Sequence, residues 1–372
     1  MKPAALSYTV ARALLGAILG CAAYAVLAAE SEGGLAYVSN QAGDISIIDL
    51  GTLQMSGHVN PYGKEPRGIG VTADGKLLVV ANRAEGAISV IDRRSGTLLR
   101  HVAIGANPEF VRVRGHRAFV SYEPSSSGTP PLQPSAAVAG AAPAVQGPSA
   151  APRKDDDESH TPAHVAVVDL DRGRVVRSIL GGLETEGIEF SADGRRILIA
   201  NEADNNISVR DIATGALVAT IDTKRYGNRP RGIKLAPDGK SYVATLELSD
   251  TLLVIDARYR VVRSVKTAQS PYGVAFDSSG RRVFVAAARG KVLQVFDTAS
   301  YAPVKEIPIG QRCWHFTFTP GHEHILVACG RSGDIVVIDA ETLEPVKHIA
   351  DPETPWGMVT FPKSEGSLDR PE

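Results

Sequence analysis

Seven copies of one repeat run through this chain, and that periodicity limits the fold more than length or composition does. A strand of the form apolar-apolar-small-Asn recurs, ending at Asn40, Asn82, Tyr122, Asn201, Thr245, Ala287 and Cys329. Each copy is followed by an alternating strand closed by aspartate, at Asp49, Asp92, Asp169, Asp211, Asp256, Asp297 and Asp339, with spacings of 43, 77, 42, 45, 41 and 42 residues. A short turn and a third strand come next, and a Pro-x-Gly-like step then opens a fourth. Those steps are Pro66-Arg67-Gly68, Pro108-Glu109-Phe110, Thr185-Glu186-Gly187, Pro230-Arg231-Gly232, Pro271-Tyr272-Gly273, Cys313-Trp314-His315 and Pro355-Trp356-Gly357.

Four short, β-branched, period-two strands with turn signals between them make one propeller blade. One blade cannot bury both its faces, whereas a ring of them can. The sequence enters at a second strand, AYVSN, and leaves at a first strand, PWGMVTF, ending at Phe361. The expectation is therefore an all-β, seven-bladed β-propeller of four-stranded blades over residues 30–366, closed by the C-terminal strand completing the first blade. Residues 367–372 are left as a C-terminal tail. An open solenoid would expose two sheet faces.

Residues 1–29 read as a signal peptide: Lys2 and Arg12 precede an apolar and small-residue stretch from Ala13 to Ala29, and the chain turns polar at Glu30. The rival is a lipoprotein anchor through Cys21, although the residues after Cys21 stay apolar. A periplasmic location follows as the expectation, with no membrane span in the mature chain. Without the leader, 38 basic residues face 41 acidic ones and no basic stripe is present, which argues against a nucleic-acid partner. A monomer is expected. Three cysteines are too few for a disulfide-dense scaffold. Cys313 and Cys329 nevertheless fall opposite each other on adjacent strands, where an oxidising compartment could join them.

The spacing of 77 exceeds the repeat by 35 residues, an insertion from about Glu123 to Pro162 that is rich in Pro, Ala, Gly and Ser. Such composition is expected to stay disordered. His160 and His164 stand at His-x-x-x-His spacing beside Asp155, Asp156, Asp157 and Glu158, but so polar a run reads as solvated charge, and no metal site is assigned.

Because strand directions alternate, the loops entering the innermost strands and the loops after the Asn-ending strands share one face, the top. The middle residues of the Pro-x-Gly steps then ring the mouth of the central channel. Arg67, Glu109, Glu186 and Arg231 form one arc, and Tyr272, Trp314 and Trp356 the other. Such a mouth would suit a flat anionic small molecule, stacked on indoles and paired with guanidinium groups. The plainer alternative is that these steps are repeat consensus, with the indoles lidding the channel and the arginines paired to Glu109 and Glu186. His315 replaces the usual Gly and could face the channel as acid, base or ligand, or serve only in packing. The repeated aspartates read as turn chemistry.

The Asn-ending strand from Tyr37 to Asn40, with its counterparts, resembles the YVTN-type β-propeller repeat over nearly all of the mature chain. Gly187 to Gly215, together with Pro355-Trp356-Gly357, is similar to the exported propellers associated with pyrroloquinoline-quinone-dependent alcohol catabolism. That resemblance implies a periplasmic binding or scaffold protein accessory to quinoprotein dehydrogenases, with a protein partner and no cofactor of its own. Two alternatives remain open. Some propellers with similar repeats open sugar lactones, and Glu109, Glu186, Arg231 and His315 would take those roles. The haem-binding propellers of periplasmic nitrite reductases also share the repeat style, although they close with eight blades. Here no Cys-x-x-Cys-His is present, and only His315 could serve as an axial ligand.

Overall fold

The computed structural model describes residues 33–124 and 161–372. The leader and residues 125–160 of the insertion, including His160, lie outside them. The described residues form seven four-stranded antiparallel sheets arranged as a propeller. Blade 2 shows the plan: Pro66–Val71 is innermost, followed outward by Leu77–Asn82, Ala87–Asp92 and Leu98–Ala103. Blade 1 takes its innermost strand, Pro355–Phe361, from the other end of the chain. That strand pairs antiparallel with Leu35–Asn40, setting Tyr37 opposite Val359. Among the described residues no helix is long and apolar enough to cross a membrane.

Position in the blade dictates residue type. Second strands are covered on both faces by neighbouring blades, so LLVVAN is buried at every position. Outermost strands touch a neighbour on one face, and LLRHVA alternates accordingly. The strand asparagines are buried tethers to the next strand: Asn40, Asn82 and Asn201 donate Nδ2–H to Ser46, Ser89 and Ser208 Oγ at 2.8, 2.8 and 3.1 Å. Register corrects one alignment. Pro230 stands opposite Leu246, so Leu246, not Thr245, is the counterpart of Asn82 in blade 5. The strand there runs one residue further than its apolar pattern suggests.

The glycine of the Pro-x-Gly step answers to close approach of innermost strands around the axis. A Cβ on Gly68 would run into backbone atoms of Glu109, Phe110 and Val111 in the next blade. Gly68→Ala is expected to cost about 1–3 kcal/mol through forced separation of blades 2 and 3, measurable as a lowered midpoint in urea denaturation.

The aspartates do turn chemistry on the bottom face. Oδ1 of Asp49, Asp92, Asp211 and Asp297 accepts the N–H of Thr52, Ser95, Thr214 and Ser300, each at 2.8 Å. Asp169, Asp256 and Asp339 repeat the pattern with Arg172, Arg258 and Thr342.

The tail turns back against the innermost strands. Ser367 N donates to Phe316 O at 2.9 Å, and Ser367 Oγ accepts from Phe316 N at 3.0 Å. The Leu368 side chain is buried, its carbonyl accepts from Arg112 Nη1 at 2.9 Å, and the Asp369 carbonyl accepts from Lys234 Nζ at 3.1 Å.

Candidate functional site

Each blade presents three residues to the mouth through one repeated backbone device. The residue before the Pro-x-Gly step is left-handed in every blade: Glu65, Asn107, Glu184, Arg229, Ser270, Arg312 and Thr354 have φ between 50° and 67°. Non-glycine residues seldom hold that conformation. Here it turns the carbonyl back to accept the N–H of the residue that follows the second strand. Glu65 O thus receives Arg83 N at 3.1 Å, Glu184 O receives Glu202 N at 2.8 Å, and Arg229 O receives Glu247 N at 2.9 Å. A further ring of Gln41, Arg83, Glu123, Glu202, Glu247, Ala288 and Gly330 is thereby set beside the Pro-x-Gly ring.

The charged arc is a dense network. Arg67 pairs with Glu109, and Arg83 Nε stands 3.5 Å from the same carboxylate. Arg231 meets Glu202, lies 3.2 Å from Glu186 and donates to Glu247 at 2.8 Å. Arg229 contacts Glu202, Glu247 and Glu184 at 2.6, 3.1 and 3.1 Å, and the Tyr272 hydroxyl donates to Glu186. Seven carboxyl groups, those of Glu65, Glu109, Glu123, Glu184, Glu186, Glu202 and Glu247, thus gather round Arg67, Arg83, Arg229 and Arg231.

Burial and charge excess set protonation. Glu123 is buried, and its Oε1 has no hydrogen-bond partner among the described residues. Loss of solvent, and then the carboxylates of Glu109, Glu186 and Glu202, push its carboxyl well above the usual range, so it retains its proton. Burial also lifts Glu202, against the pull of Arg231 and Arg229. Burial would raise Glu247 too, but Arg231 and Arg229 outweigh it and hold that carboxylate low. Among the described residues no group of three or more His, Cys, Asp or Glu side chains is arranged to hold a metal.

The structure brings the expected mouth residues together. The two channel-mouth arginines are already committed to Glu109, Glu186, Glu202 and Glu247, as the plainer alternative held, and carboxyl groups outnumber guanidinium groups. Trp356 and Tyr272 are buried. Trp314 alone of the three aromatics is partly exposed, and it lies over Gly330, where a Cβ would meet its ring. His315 is 2% exposed. Phe110, Tyr272 and Trp356 surround it edge-on at 6.0, 5.4 and 4.5 Å, and Nδ1 lies 3.0 Å from Ser367 Oγ. Burial, with the nearby charges of Lys234 and Arg231, holds it neutral, its pKa pushed down to about 3. A ring packed on three sides cannot serve as the axial ligand of a macrocycle.

Cys313 and Cys329 are joined in a disulfide across paired strands of blade 7. His164 stacks on Tyr122 at 5.7 Å and meets Ser178 Oγ at 3.0 Å, so it is a packing residue. Glu123, placed at the edge of the insertion by its sequence, belongs instead to the mouth. Arg83, Glu202, Arg229 and Glu247 were not singled out by the repeat either. Their signal is positional, one column past the Asn-ending strand or one before the Pro-x-Gly step.

Two family models match separate parts of the chain: "Lactonase, 7-bladed beta-propeller" over residues 18–114 and "Cytochrome D1 heme domain" over residues 161–312. No curated protein matches. Among solved structures, the periplasmic gluconolactonase of Pseudomonas aeruginosa is similar at 17% identity and a TM-score of 0.67, with 88% of this chain and 98% of that one covered. Hydrazine synthase of Kuenenia stuttgartiensis is similar at 18% identity and a TM-score of 0.66, covering 88% and 99%. A dihydro-heme d1 dehydrogenase is similar at 20% identity and a TM-score of 0.60, covering 87% and 74%. At these identities the shared property is the fold, and this chain is a β-propeller of seven four-stranded blades.

Proposed function

We propose that this protein hydrolyses an uncharged, polyhydroxylated lactone at the top mouth of its channel. The observation that carries the reading is Glu123, a buried carboxyl that keeps its proton beside Glu186, Glu202 and Arg231. A buried carboxyl beside carboxyl groups that are paired with guanidinium can supply an acid and a base in one site. In the proposed reaction a water attacks the ring carbonyl and gives its proton to Glu186. Arg231 faces the oxygen on which negative charge grows. Glu123 protonates the ring oxygen as the C–O bond breaks, and the proton held by Glu186 then restores Glu123. The products balance as lactone plus water giving a hydroxy acid.

The excess of carboxylates supports an uncharged substrate, whose hydroxyl groups they can accept, with Trp314 as a stacking face. It also favours release, because the product carries a carboxylate that the substrate lacks. The matches to a lactonase model and to a periplasmic gluconolactonase support the same reaction class. The leader read at residues 1–29 would deliver the enzyme to the periplasm. The accessory role beside quinoprotein alcohol catabolism rests on the repeat resemblance alone, and a polyanionic quinone suits this mouth poorly.

Glu123→Gln tests the proposal, since it replaces a neutral group with a neutral isostere. Hydrolysis of gluconolactone, followed by proton release, is expected to fall by about 10²-fold without loss of fold. The folded state keeps the Glu123 proton above pH 4.5 while the unfolded state releases it, so wild-type stability declines as pH rises toward the folded value. The variant's stability relative to wild type should therefore be greater at pH 8 than at pH 5. No hydrolysis by the wild-type protein, or full activity of the variant, would sink the reading.

A further inference from the structure

We propose a second binding site, independent of the mouth, for a small amphiphilic anion in the cleft on the lower flank of blades 3 and 4. The cleft has a volume of about 650 Å³, within the usual range for small-molecule sites. Its lining combines the apolar side chains of Val167, Val176 and Ile212 with Arg117, Arg177 and Arg195.

The three arginines come from three different places: the second strand of blade 3, its outermost strand Arg174–Leu180, and the bottom hairpin of blade 4. Their side chains are exposed, and among the described residues none makes an ion pair within 4.0 Å. This contrasts with the mouth, where each guanidinium already faces carboxylates. The carboxylate on the cleft wall, Asp211, is engaged by Thr214 N and Oγ1, both at 2.8 Å. The outermost strand of blade 3 is unlike its counterparts, with Arg174, Val175, Val176 and Arg177 all exposed in succession.

Apolar side chains and three arginines lining one cleft select a ligand with an apolar body and an anionic head, a carboxylate, sulfonate or phosphate that guanidinium groups can hold in bidentate fashion. An uncharged molecule of the same shape gains the apolar contacts but not the arginines.

Anilinonaphthalene sulfonate is a suitable probe, read by its fluorescence on titration into the full chain, with uncharged anilinonaphthalene as the comparison. One saturable site is expected. Arg177→Glu with Arg195→Glu should weaken it by about tenfold or more, Val176→Asp should weaken it similarly, and Lys266→Glu, on the outermost strand of blade 5 and outside the cleft lining, should leave it unchanged. The uncharged analogue should bind more weakly than the sulfonate. All four substitutions lie on the surface, and thermal melts establish that each variant is folded. Absence of saturable binding, equal affinity in the arginine double variant, or equal affinity for the uncharged analogue would overturn the proposal. Hydrolysis at the mouth is read separately by gluconolactone turnover, so the two proposals fail independently.

Discussion

A chain ending at Thr354 is expected to yield no folded propeller, and a peptide of residues 355–372 added in trans to restore one. The argument follows from where the last strand sits. Blade 1 has its second, third and outermost strands at the start of the described chain and its innermost strand at the end. Without Pro355–Phe361, the inner edge of Leu35–Asn40 is left with unpaired backbone groups, and the contacts that this strand makes with the innermost strands of blades 2 and 7 vanish. Trp356, Met358 and Val359, all buried, would leave the core. A propeller missing one inner strand exposes two blade faces at once, so the loss is not confined to blade 1. Circular dichroism of the truncated chain with and without the peptide is the measurement. A folded truncated monomer would show that closure contributes little. A chain ending at Phe361 should behave differently: the ring can still close, but Arg112, Glu189 and Lys234 lose the tail that covers them, and the melting temperature should fall without loss of the β-sheet signal.

The fold was legible because each blade repeats the same physical requirements. Aspartates closing the third strands, asparagines tethering second strands to serines, and glycines admitting a neighbour's backbone are local demands, and each leaves a recurring letter. The blade 5 misalignment shows the limit. Thr245 fits the apolar pattern as well as Leu246 does, and only hydrogen-bond register separates them. The mouth was legible in part. The Pro-x-Gly ring was found because its flanking residues recur, whereas Glu123, Glu202 and Glu247 occupy a column whose chemistry differs from blade to blade and whose position is fixed by a left-handed backbone turn. No side-chain motif marks that turn: Glu65, Asn107, Arg229 and Thr354 all adopt it.

Charge state was the least legible property. Arg67 and Arg231 could be placed at the mouth from sequence, but whether they stand ready for an anion depends on how many carboxyl groups fold in beside them. The same holds for His315. A histidine in place of a glycine on an innermost strand suggests a group aimed at the channel. Its neutrality comes instead from Phe110, Tyr272 and Trp356 closing round it and from the tail, a segment whose sequence, Ser364 to Asp369, gives no sign that it returns to the axis.

Glu189→Ala is expected to destabilise the protein by about 3–5 kcal/mol, the cost of leaving a buried charge without its partner. Glu189 lies in the channel wall with no exposed surface. Burial would raise its pKa, but Arg112, at 3.0 Å, and Lys234, at 4.0 Å, outweigh it and keep the carboxylate ionised. The carboxylate also accepts from Phe190 N at 2.7 Å. Lys234 can escape part of the penalty, since burial and then Arg112 already push its amine well below the usual range and it can shed its proton. Arg112 has no such escape, because a guanidinium does not deprotonate. The tail is bound to this triad through the Leu368 and Asp369 carbonyls, so loss of Glu189 should loosen the tail as well as the wall. A double variant, Glu189→Leu with Arg112→Met, removes both charges together and should recover most of the lost stability if uncompensated charge is the cause. Urea denaturation of the single and double variants at pH 7 separates the cases. Equal loss in both would assign the effect to packing and tail contacts and remove electrostatics from the explanation.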